Sequence, residues 1–334
     1  LTPIETEALF ATLKKLVASG LSVIFISHKL NEVLAISDRV LVLRAGRLSG
    51  ERETKGTTRQ ELAALMIGQE IAPPAIAAAA PGPVLLECEA VCAAPASGPV
   101  GLESVSLALR GGEIVGLAGV SGNGQTTLAA LLSGIHRPRS GRFRIAGEAV
   151  ETWSPAIALQ AGVARIPEDR HAVGTIGDMS VTENVIAERY RSPRFSRHGF
   201  LDWAAARGFA EELIRDYDVK CPSPEARVRL LSGGNMQKLI LGRALDPDPK
   251  IILANQPTRG LDVGAISYVH QKLLEARARG AAVLLISEDL DEILTLSDHV
   301  CVMFKGRLSP PSARGARSVR ELAELMAGHG MEAA

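Results

Sequence analysis

A glycine-rich segment, GVSGNGQTT at residues 119–127, has the residue types and spacing of a phosphate-binding loop. Glycines let backbone N–H groups turn inward, and the N-terminus of a following helix adds the positive end of its dipole. The segment fits the pattern G-x-x-x-x-G-K-S/T, except that Gln125 stands in the lysine position; Thr126 falls where the Mg²⁺ ligand belongs. A dinucleotide fingerprint fails, because Thr127 occupies the place of its third glycine. The predicted nucleotide-binding residues of the loop are Gly119, Ser121, Gly122, Asn123, Gly124, Gln125, Thr126 and Thr127.

The elements around this loop follow an α/β pattern. EIVGLAG is an apolar strand that leads into the loop, and TTLAALLSG predicts a short helix that ends at Gly134. LLECEAV and GLESVSLAL are predicted strands upstream. KIILAN and AVLLIS are continuous apolar runs, as expected for strands buried on both faces, and helical patterns such as YVHQKLLEARARG separate them.

Without its lysine, the loop alone is also compatible with an ordinary glycine-rich turn. The motifs further along the chain distinguish a phosphate-binding loop from such a turn. LLSGGNMQK at residues 230–238 resembles the LSGGQ signature of ABC ATPases, with Asn235 in place of the glutamine. KIILANQPTRGLD and ISEDLDE then follow in the order and spacing of Walker B, the D-loop and the switch histidine. The resemblance implies an ABC-type P-loop NTPase fold: a mixed or parallel sheet core, an antiparallel β subdomain and an α-helical signature subdomain. The signature residues it assigns are Leu231, Ser232, Gly233, Gly234 and Asn235, and the D-loop residue is Asp262.

Measured against that family, the catalytic positions are all substituted. Gln125 replaces the Walker A lysine, Asn255 the Walker B aspartate, Gln256 the catalytic carboxylate, Glu288 the switch histidine and Glu168 the Q-loop glutamine. Phosphoryl transfer depends on positioning and on charge opposite the developing oxyanions, and each loss removes a factor of about 10² or more. We therefore expect negligible hydrolysis in this pocket. Weak Mg²⁺ coordination is expected from Thr126 and Asn255.

An internal repeat organises the chain. The segment that begins at Val23 (VIFISHKLNEVLAISDRVLVLRAGRL) recurs at Val283 with thirteen of twenty-six residues identical, an offset of 260 that also pairs ELAALMIG with ELAELMAG. Residues 1–70 are therefore predicted to be the C-terminal part of a first ABC domain, after its Walker B, and residues 84–334 a complete second domain. Residues 71–83, rich in Ala and Pro, are the predicted linker. Because about 180 residues precede the repeated part in the second copy, we expect a C-terminal fragment of a longer parent chain.

The repeat pairs Glu288 with His28, at the end of a predicted strand in the first copy, and so identifies His28 as the switch histidine there. The resemblance implies head-to-tail pairing of the two domains, in which each ATP lies between one P-loop and the other signature. The site of His28 would be closed by Ser232, Gly233 and Gly234, with Asp262 reaching across. The substituted residues then belong to the other, degenerate site. We expect one hydrolysing site and one structural or regulatory site, and this chain alone to be inactive as an ATPase.

The tandem arrangement with PEDR and SGGN motifs resembles importers of simple sugars such as ribose, xylose or galactose, whereas GNGQ, QPTRGLDVGA and SED resemble nucleoside importers more specifically. The resemblance implies ATP and Mg²⁺ as cofactors, polytopic permease subunits and an extracytoplasmic solute-binding protein as partners, and a place on the cytoplasmic face of the cell membrane. We favour nucleosides over sugars. A non-transport nucleotide-binding regulatory module is the alternative of another class, and a soluble ABC ATPase of translation or DNA repair is a third.

Composition limits these alternatives. The formal net charge is zero, with 37 basic and 37 acidic residues, which argues against a nucleic-acid partner. No apolar run reaches the ~18 residues needed to cross a bilayer. Four cysteines without paired metal-ligand spacing predict reduced, structural thiols. The short basic runs HRPRSGRFR and RYRSPRFSRH are predicted to be solvated or partner-facing loops.

Overall fold

The computed structural model describes residues 3–27, 29–44, 46–68, 81–96 and 98–331. His28 and residues 71–80 of the predicted linker lie outside the described residues. The chain divides into two units. One comprises the described residues before 69 together with residues 261–270; the other comprises residues 81–260 and 271–331.

The elements of the first unit before residue 69 surround a small apolar core. In chain order these elements are α1 (Pro3–Ala18), α2 (Leu30–Ile36), β1 (Arg39–Arg44), β2 (Arg47–Glu53) and α3 (Arg59–Ile67). Strands β1 and β2 form an antiparallel hairpin. Helix α3 begins with a capping box of Thr58 and Glu61 and ends at Gly68, whose φ of 86° suits a glycine. The core residues are Leu30, Val33, Val40, Val42 and Leu62.

From residue 84 onward, strands and helices alternate. In chain order the elements are β3 (Val84–Ala93), β4 (Leu102–Arg110), β5 (Ile114–Ala118), α4 (Gln125–Leu132), β6 (Ser140–Ile145), β7 (Glu148–Ala149), α5 (Pro155–Gln160), β8 (Val163–Ile166), a π-helix (Arg170–Gly174), α6 (Val181–Ile186), β9 (Ser196–Arg197), β10 (Phe200–Leu201), α7 (Trp203–Asp216), a 3-10 helix (Val228–Leu230), α8 (Gly233–Leu245), β11 (Ile251–Asn255), α9 (Val263–Ala278), β12 (Ala282–Ser287), α10 (Leu290–Leu296), β13 (His299–Phe304), β14 (Arg307–Leu308), β15 (Ser312–Ala313) and α11 (Val319–Met326).

Two large sheets, the small β9–β10 hairpin and a helical group make up the second unit, and the resemblance predicted the two large sheets and the helices. The larger sheet has the order β14-β13-β5-β12-β11-β8, with β15 added beside β13, and its five strands from β13 to β8 are parallel. Strands β5, β11 and β12 are buried at every residue, which explains their unbroken apolar sequences. The smaller sheet, β4-β3-β6-β7, is antiparallel. Helices α6, α7 and α8 pack on one another and form the helical part.

The 260-residue repeat reappears in the element bounds. Helices α2 and α10 match residue for residue at this offset, as do strands β1 and β13. The starts of α3 and α11 also match, and both helices open with the same capping box, Thr58 with Glu61 and Ser318 with Glu321. The two segments therefore encode the same local structure.

One sequence expectation is wrong. Residues 22–27 form no strand, although their counterparts in β12 do. Strand β12 is hydrogen-bonded on both sides, by β5 and β11, whereas the described part of the first unit before residue 69 offers only the β1–β2 hairpin, which does not pair with this segment. A strand without neighbours leaves its backbone groups unpaired and its side chains uncovered. Accordingly, Ile24 is 91% and Ile26 is 92% exposed.

All four cysteines are free thiols. Burial raises the pKa of Cys88 and of Cys301 to about 12, so both thiols stay protonated. At Cys92, by contrast, the pKa is lowered, chiefly by a hydrogen bond from the backbone N–H of Ser104. Two of the four cysteines are thus small core residues.

Candidate functional site

The substituted motif residues meet at one edge of the parallel sheet. Strands β5, β12, β11 and β8 end at this edge in register: Ala118 lies beside Ser287, Asn255 beside Ile286, and Ala254 beside Ile166. The residues that follow these strand ends therefore emerge together. In open α/β sheets, this carboxyl edge is where ligands bind. The motif residues at the edge are the loop 119–127, Glu168, Asn255, Gln256 and Glu288.

The glycine-rich loop has the backbone form of an anion nest. Gly122 and Gly124 have φ values of 86° and 111°, and α4 begins immediately afterwards at Gln125. Thr126 is exposed, so its hydroxyl is the one that can reach a ligand. Thr127 is buried and faces the protein instead, since its hydroxyl donates to the carbonyl of Val100 at 3.0 Å.

Gln125 occupies this nest with its own side chain. Its Nε2 donates to the carbonyl of Val120 at 2.9 Å, and its Oε1 accepts the backbone N–H of Asn123 at 3.0 Å. The Asn123 side chain braces the loop further, because its Nδ2 donates to Val120 at 3.0 Å and its Oδ1 accepts the N–H of Lys305 at 2.9 Å. One of the N–H groups that would hold a phosphate oxygen is thus already used by the chain itself.

Neutral amides and one carboxylate stand where a hydrolysing site needs metal ligands and a base. Asn255 is buried at the end of β11, and Gln256 follows with a φ of 49°. The Gln256 Oε1 accepts the N–H of Glu288 at 3.5 Å. Glu288 Oε1 is buried without a hydrogen-bond partner among the described residues. In the described part of the chain, no group of three His, Cys, Asp or Glu is placed to hold a metal ion. These residues do not fit a hydrolysing Mg²⁺–ATP site.

Two arginines that were not predicted to be site residues tie the loop after β8 to its surroundings. Arg259 Nη1 donates to Glu168 Oε1, and Arg170 Nη2 donates to the carbonyl of Arg259. Arg170 also reaches the carbonyl of Gly233 at 3.5 Å, and its burial lowers its pKa. The sequence carried a signal for both, since Arg170 is the charged residue that ends the PEDR motif and Arg259 is the charged residue within QPTRGLDVGA.

The signature residues form the N-terminus of α8. Ser232 is its N-cap, and its Oγ accepts from the backbone N–H of Asn235 at 3.4 Å and from Asn235 Nδ2 at 2.9 Å. The Asn235 Oδ1 in turn accepts the N–H of Lys220 at 2.8 Å. Leu231 is buried, whereas Ser232 is exposed, and Gly233 and Gly234 open the helix. Such a helix start suits an anion.

Two predicted site residues remain, Asp262 and His28. Asp262 belongs to the first unit, where its Oδ1 accepts the N–H of Ala265 at 2.8 Å at the start of α9. Its role toward a second domain stays a prediction. His28 lies outside the described residues, so its role also stays a prediction.

Sequence comparisons identify relatives along nearly the whole chain. Residues 102–259 match the family model described as ABC transporter. The chain is 39% identical over 98% of its length to the nucleoside import ATP-binding protein NupA of Lactococcus lactis, and 39% identical over 98% to the guanosine import ATP-binding protein NupO of Bacillus subtilis. It is 42% identical over 92% of its length to the glucose import ATP-binding protein TsgD13 of Haloferax volcanii. The chain spans 65%, 64% and 56%, respectively, of the lengths of these relatives.

Solved structures share the fold. A nucleotide-free ATP-binding cassette from an ABC transporter aligns with 74% of this chain and 96% of its own, at a TM-score of 0.58 and 22% identity. A dimeric cassette in a post-hydrolysis state with ADP and phosphate aligns with 70% of this chain and 100% of its own, at a TM-score of 0.59 and 20% identity. The predicted cassette fold is confirmed.

Proposed function

The chain belongs to the ABC transporter family, whose ATP-binding domain it carries, and we propose that it forms part of the energy-coupling ATP-binding subunit of an importer. Nucleosides are the proposed solutes, because relatives of the chain include nucleoside and guanosine import proteins. A sugar is the alternative solute, since relatives named for glucose and ribose import are also similar. The proposed partners are membrane permease subunits and a solute-binding protein, and the proposed location is the cytoplasmic face of the membrane. Among the described residues, no helix is both long and apolar enough to span a bilayer.

The nucleotide site at the sheet edge is proposed to be structural or regulatory rather than hydrolytic. The observation that carries this proposal is the Gln125 side chain, which is neutral and bonded to the Asn123 N–H. A lysine at this position would place a positive charge on the β- and γ-phosphates, whereas glutamine competes with them for the nest. Glu288 adds a buried carboxylate oxygen at the γ-phosphate position of the motif, and its negative charge opposes an anionic ligand.

The part of the first unit before residue 69 is proposed to belong to another cassette. The exposed apolar side chains Ile24, Ile26, Leu41 and Leu43 are 91%, 92%, 54% and 70% accessible. Their counterparts at an offset of 260 are Leu284, Ile286, Cys301 and Met303, each at most 1% exposed in the core around β5 and β11. The face of the first unit thus has the pattern of one half of such a core. We propose that strands of that other cassette, equivalent to β5 and β11, cover this apolar face.

Hydrolysis is proposed to occur in a site completed by the α8 N-terminus. Ser232 and the free N–H groups that open α8 provide a hydroxyl and a dipole for a γ-phosphate held by the other cassette. The degenerate domain would then serve catalysis through its signature and not through its own loop. The second candidate function is a stand-alone regulatory module, and the substituted catalytic positions at the sheet edge favour it.

Turnover by this chain alone tests the degenerate-site proposal. We expect phosphate release from Mg²⁺–ATP at the uncatalysed background rate, because the lysine, the metal carboxylate and the base are all replaced. The Gln256→Ala variant, with an unchanged circular dichroism spectrum, should give the same background. Clear turnover that Gln256→Ala abolishes would mean that glutamine chemistry operates here and would overturn the proposal.

The signature proposal predicts a strong effect of Ser232→Arg when this chain is joined to a cassette that hydrolyses ATP. A bulky cation at the N-cap blocks the approach of the γ-phosphate to the helix start, so we expect turnover to fall by a factor of about 10² or more. The matched control is Ala204→Arg, which adds the same side chain at an exposed position of α7. Normal turnover of Ser232→Arg would exclude a role for this signature, and co-purification with a membrane permease would separate the importer from the regulatory module.

A further inference from the structure

Exposed aromatic side chains are concentrated in one short stretch of the helical part. The chain contains seven Phe, three Tyr and two Trp. Within the described residues, the exposed ones are Tyr190, Phe200 and Trp203, at 42%, 80% and 53% accessibility. Single exposed apolar residues need no explanation, but three aromatic rings within fourteen residues form a patch.

Arginines alternate with these rings. The stretch 189–203, here called the aromatic–arginine hairpin, carries Arg189, Arg191, Arg194 and Arg197, with Asp202 as its one acidic residue. Arg189 pairs with Asp246 at 3.4 Å and Arg194 with Glu212 at 3.1 Å. Arg191 stacks on Tyr190, with its guanidinium carbon 5.4 Å from the ring centre. Neither Arg191 nor Arg197 forms an ion pair within the described part of the chain, so both charges are available.

The base of the hairpin is anchored, and its tip projects. Phe195 is 1% exposed and packs on Phe209, with 5.3 Å between ring centres, and Arg194 lies 4.4 Å from the Phe209 ring centre. Strands β9 and β10 pair across a two-residue turn at His198 and Gly199, whose φ values of 51° and 85° are those of a tight hairpin turn. The turn places Arg197 directly opposite Phe200. A charge and an exposed ring therefore sit side by side on a fixed support.

We propose that the aromatic–arginine hairpin is a contact surface for an anionic lipid membrane. Aromatic rings are enriched at the level of lipid headgroups, and arginines near an anionic bilayer surface each add to the attraction. The proposal rests on the exposure and charge of this stretch alone. It therefore holds or fails independently of ATP binding and of the proposed transport function.

A membrane fits this surface better than a protein partner does. A stable protein interface buries about 800 Å² on each side around a packed apolar centre. Here the exposed rings are few: Tyr190 lies beside Arg191, Phe200 lies opposite Arg197 in the hairpin, and Trp203 begins α7. A bilayer surface is fluid and needs no shape complementarity, so isolated rings beside charges are sufficient.

Vesicle flotation tests the proposal with the chain as it stands. We expect the chain to float with phosphatidylcholine vesicles that contain phosphatidylglycerol about tenfold more than with phosphatidylcholine alone, at ~0.1 M salt. Arg191→Glu/Arg197→Glu should remove the preference for anionic vesicles, and Phe200→Ser should lower flotation several-fold. Thermal melting of each variant establishes that it is folded, and both changes lie on exposed side chains.

Two control double variants distinguish vesicle binding by this hairpin from non-specific binding by other exposed basic or apolar surfaces. Arg137→Glu/Arg139→Glu changes the same charge on another exposed basic run, and Ile24→Ser/Ile26→Ser removes the most exposed aliphatic residues. Both should float as the parent chain does. Failure of the parent chain to float, equal flotation with neutral vesicles, or equal losses in the control double variants would overturn the proposal. So would binding to a single-stranded RNA or a permease, sensitive to Arg191 and Arg197, without vesicle binding.

Discussion

Replacing Gln125 with lysine raises the affinity of this chain for Mg²⁺–ATP by about 10- to 100-fold, the range expected for one hydrogen bond to a charged group. The gain has two sources. Removing the amide frees the Asn123 N–H, which Gln125 Oε1 now occupies at 3.0 Å, and the ammonium group adds a positive charge at the phosphates. Titration with a fluorescent ATP analogue, or calorimetry, measures the change.

A Gln125→Met variant separates these two sources. Methionine keeps the length of the side chain but neither bonds the nest nor carries charge, so it should recover only the part due to the freed N–H. AMP is the matched ligand, because a lysine that acts on β- and γ-phosphates should leave AMP affinity nearly unchanged. Equal gains in affinity for ATP and AMP, or no gain in ATP affinity with lysine, would show that Gln125 in the nest does not limit ATP binding.

Turnover should remain at background in Gln125→Lys. Asn255, Gln256 and Glu288 still replace the metal ligand, the base and the switch histidine, and these losses act on the transition state rather than on binding. A rise in Mg²⁺–ATP affinity without a rise in turnover would show that the site is degenerate and that only its phosphate binding is restored by lysine. A slow but intact enzyme would instead gain turnover.

Much of the arrangement at this edge could be predicted from the sequence. Apolar runs such as 251–255 and 282–287 carry the signal of strands buried on both faces, and polar residues directly after them must emerge at one edge. Motif order then fixes which residues meet there. The matching helix starts of the repeat could also be predicted, because a capping box depends only on nearby residues such as Thr58 and Ser318.

Other features depend on contacts that a linear pattern does not contain. The Gln125 side chain folds back because Val120 and Asn123 offer partners at the distances of its amide, which is a property of the folded loop. Arg170 bonds to Gly233 and to Arg259 across 63 and 89 residues of sequence, and Arg259 bonds to Glu168 across 91. Residues 22–27 have the apolar pattern of a strand, yet pairing and not propensity decides whether a strand forms.

A buried ion pair holds the start of β5, the strand that leads into the glycine-rich loop. Arg277, 5% exposed, donates from Nε and Nη2 to the two carboxylate oxygens of Asp298, both at 2.8 Å. The Asp298 Oδ2 also accepts the backbone N–H of Ile114 at 2.9 Å. One carboxylate thus joins the end of α9, the loop before β13 and the first residue of β5.

Breaking this pair should be the most destabilising change among the charged residues discussed. Arg277→Met leaves the Asp298 carboxylate in a largely buried place with its main partner gone, and removing one member of a buried pair costs about 3–5 kcal/mol. Asp298 is 20% exposed and Arg314 lies 3.6 Å away, so the lower end of that range is expected. Urea unfolding followed by circular dichroism measures the free energy of unfolding.

The matched control lies two residues along the chain. Arg279 pairs with Asp248 at 2.9 Å, but their side chains are 47% and 70% exposed. Arg279→Met should therefore change the free energy of unfolding by less than ~1 kcal/mol, because water and salt screen an exposed pair. Equal losses for the two variants would mean that arginine packing, and not the burial of the pair, provides the stability. If Arg277→Met left the free energy of unfolding nearly unchanged, Ile114 and Arg314 alone would be enough to satisfy the Asp298 carboxylate. The start of β5 would then be held by the hydrogen bond from the Ile114 N–H and not by the ion pair.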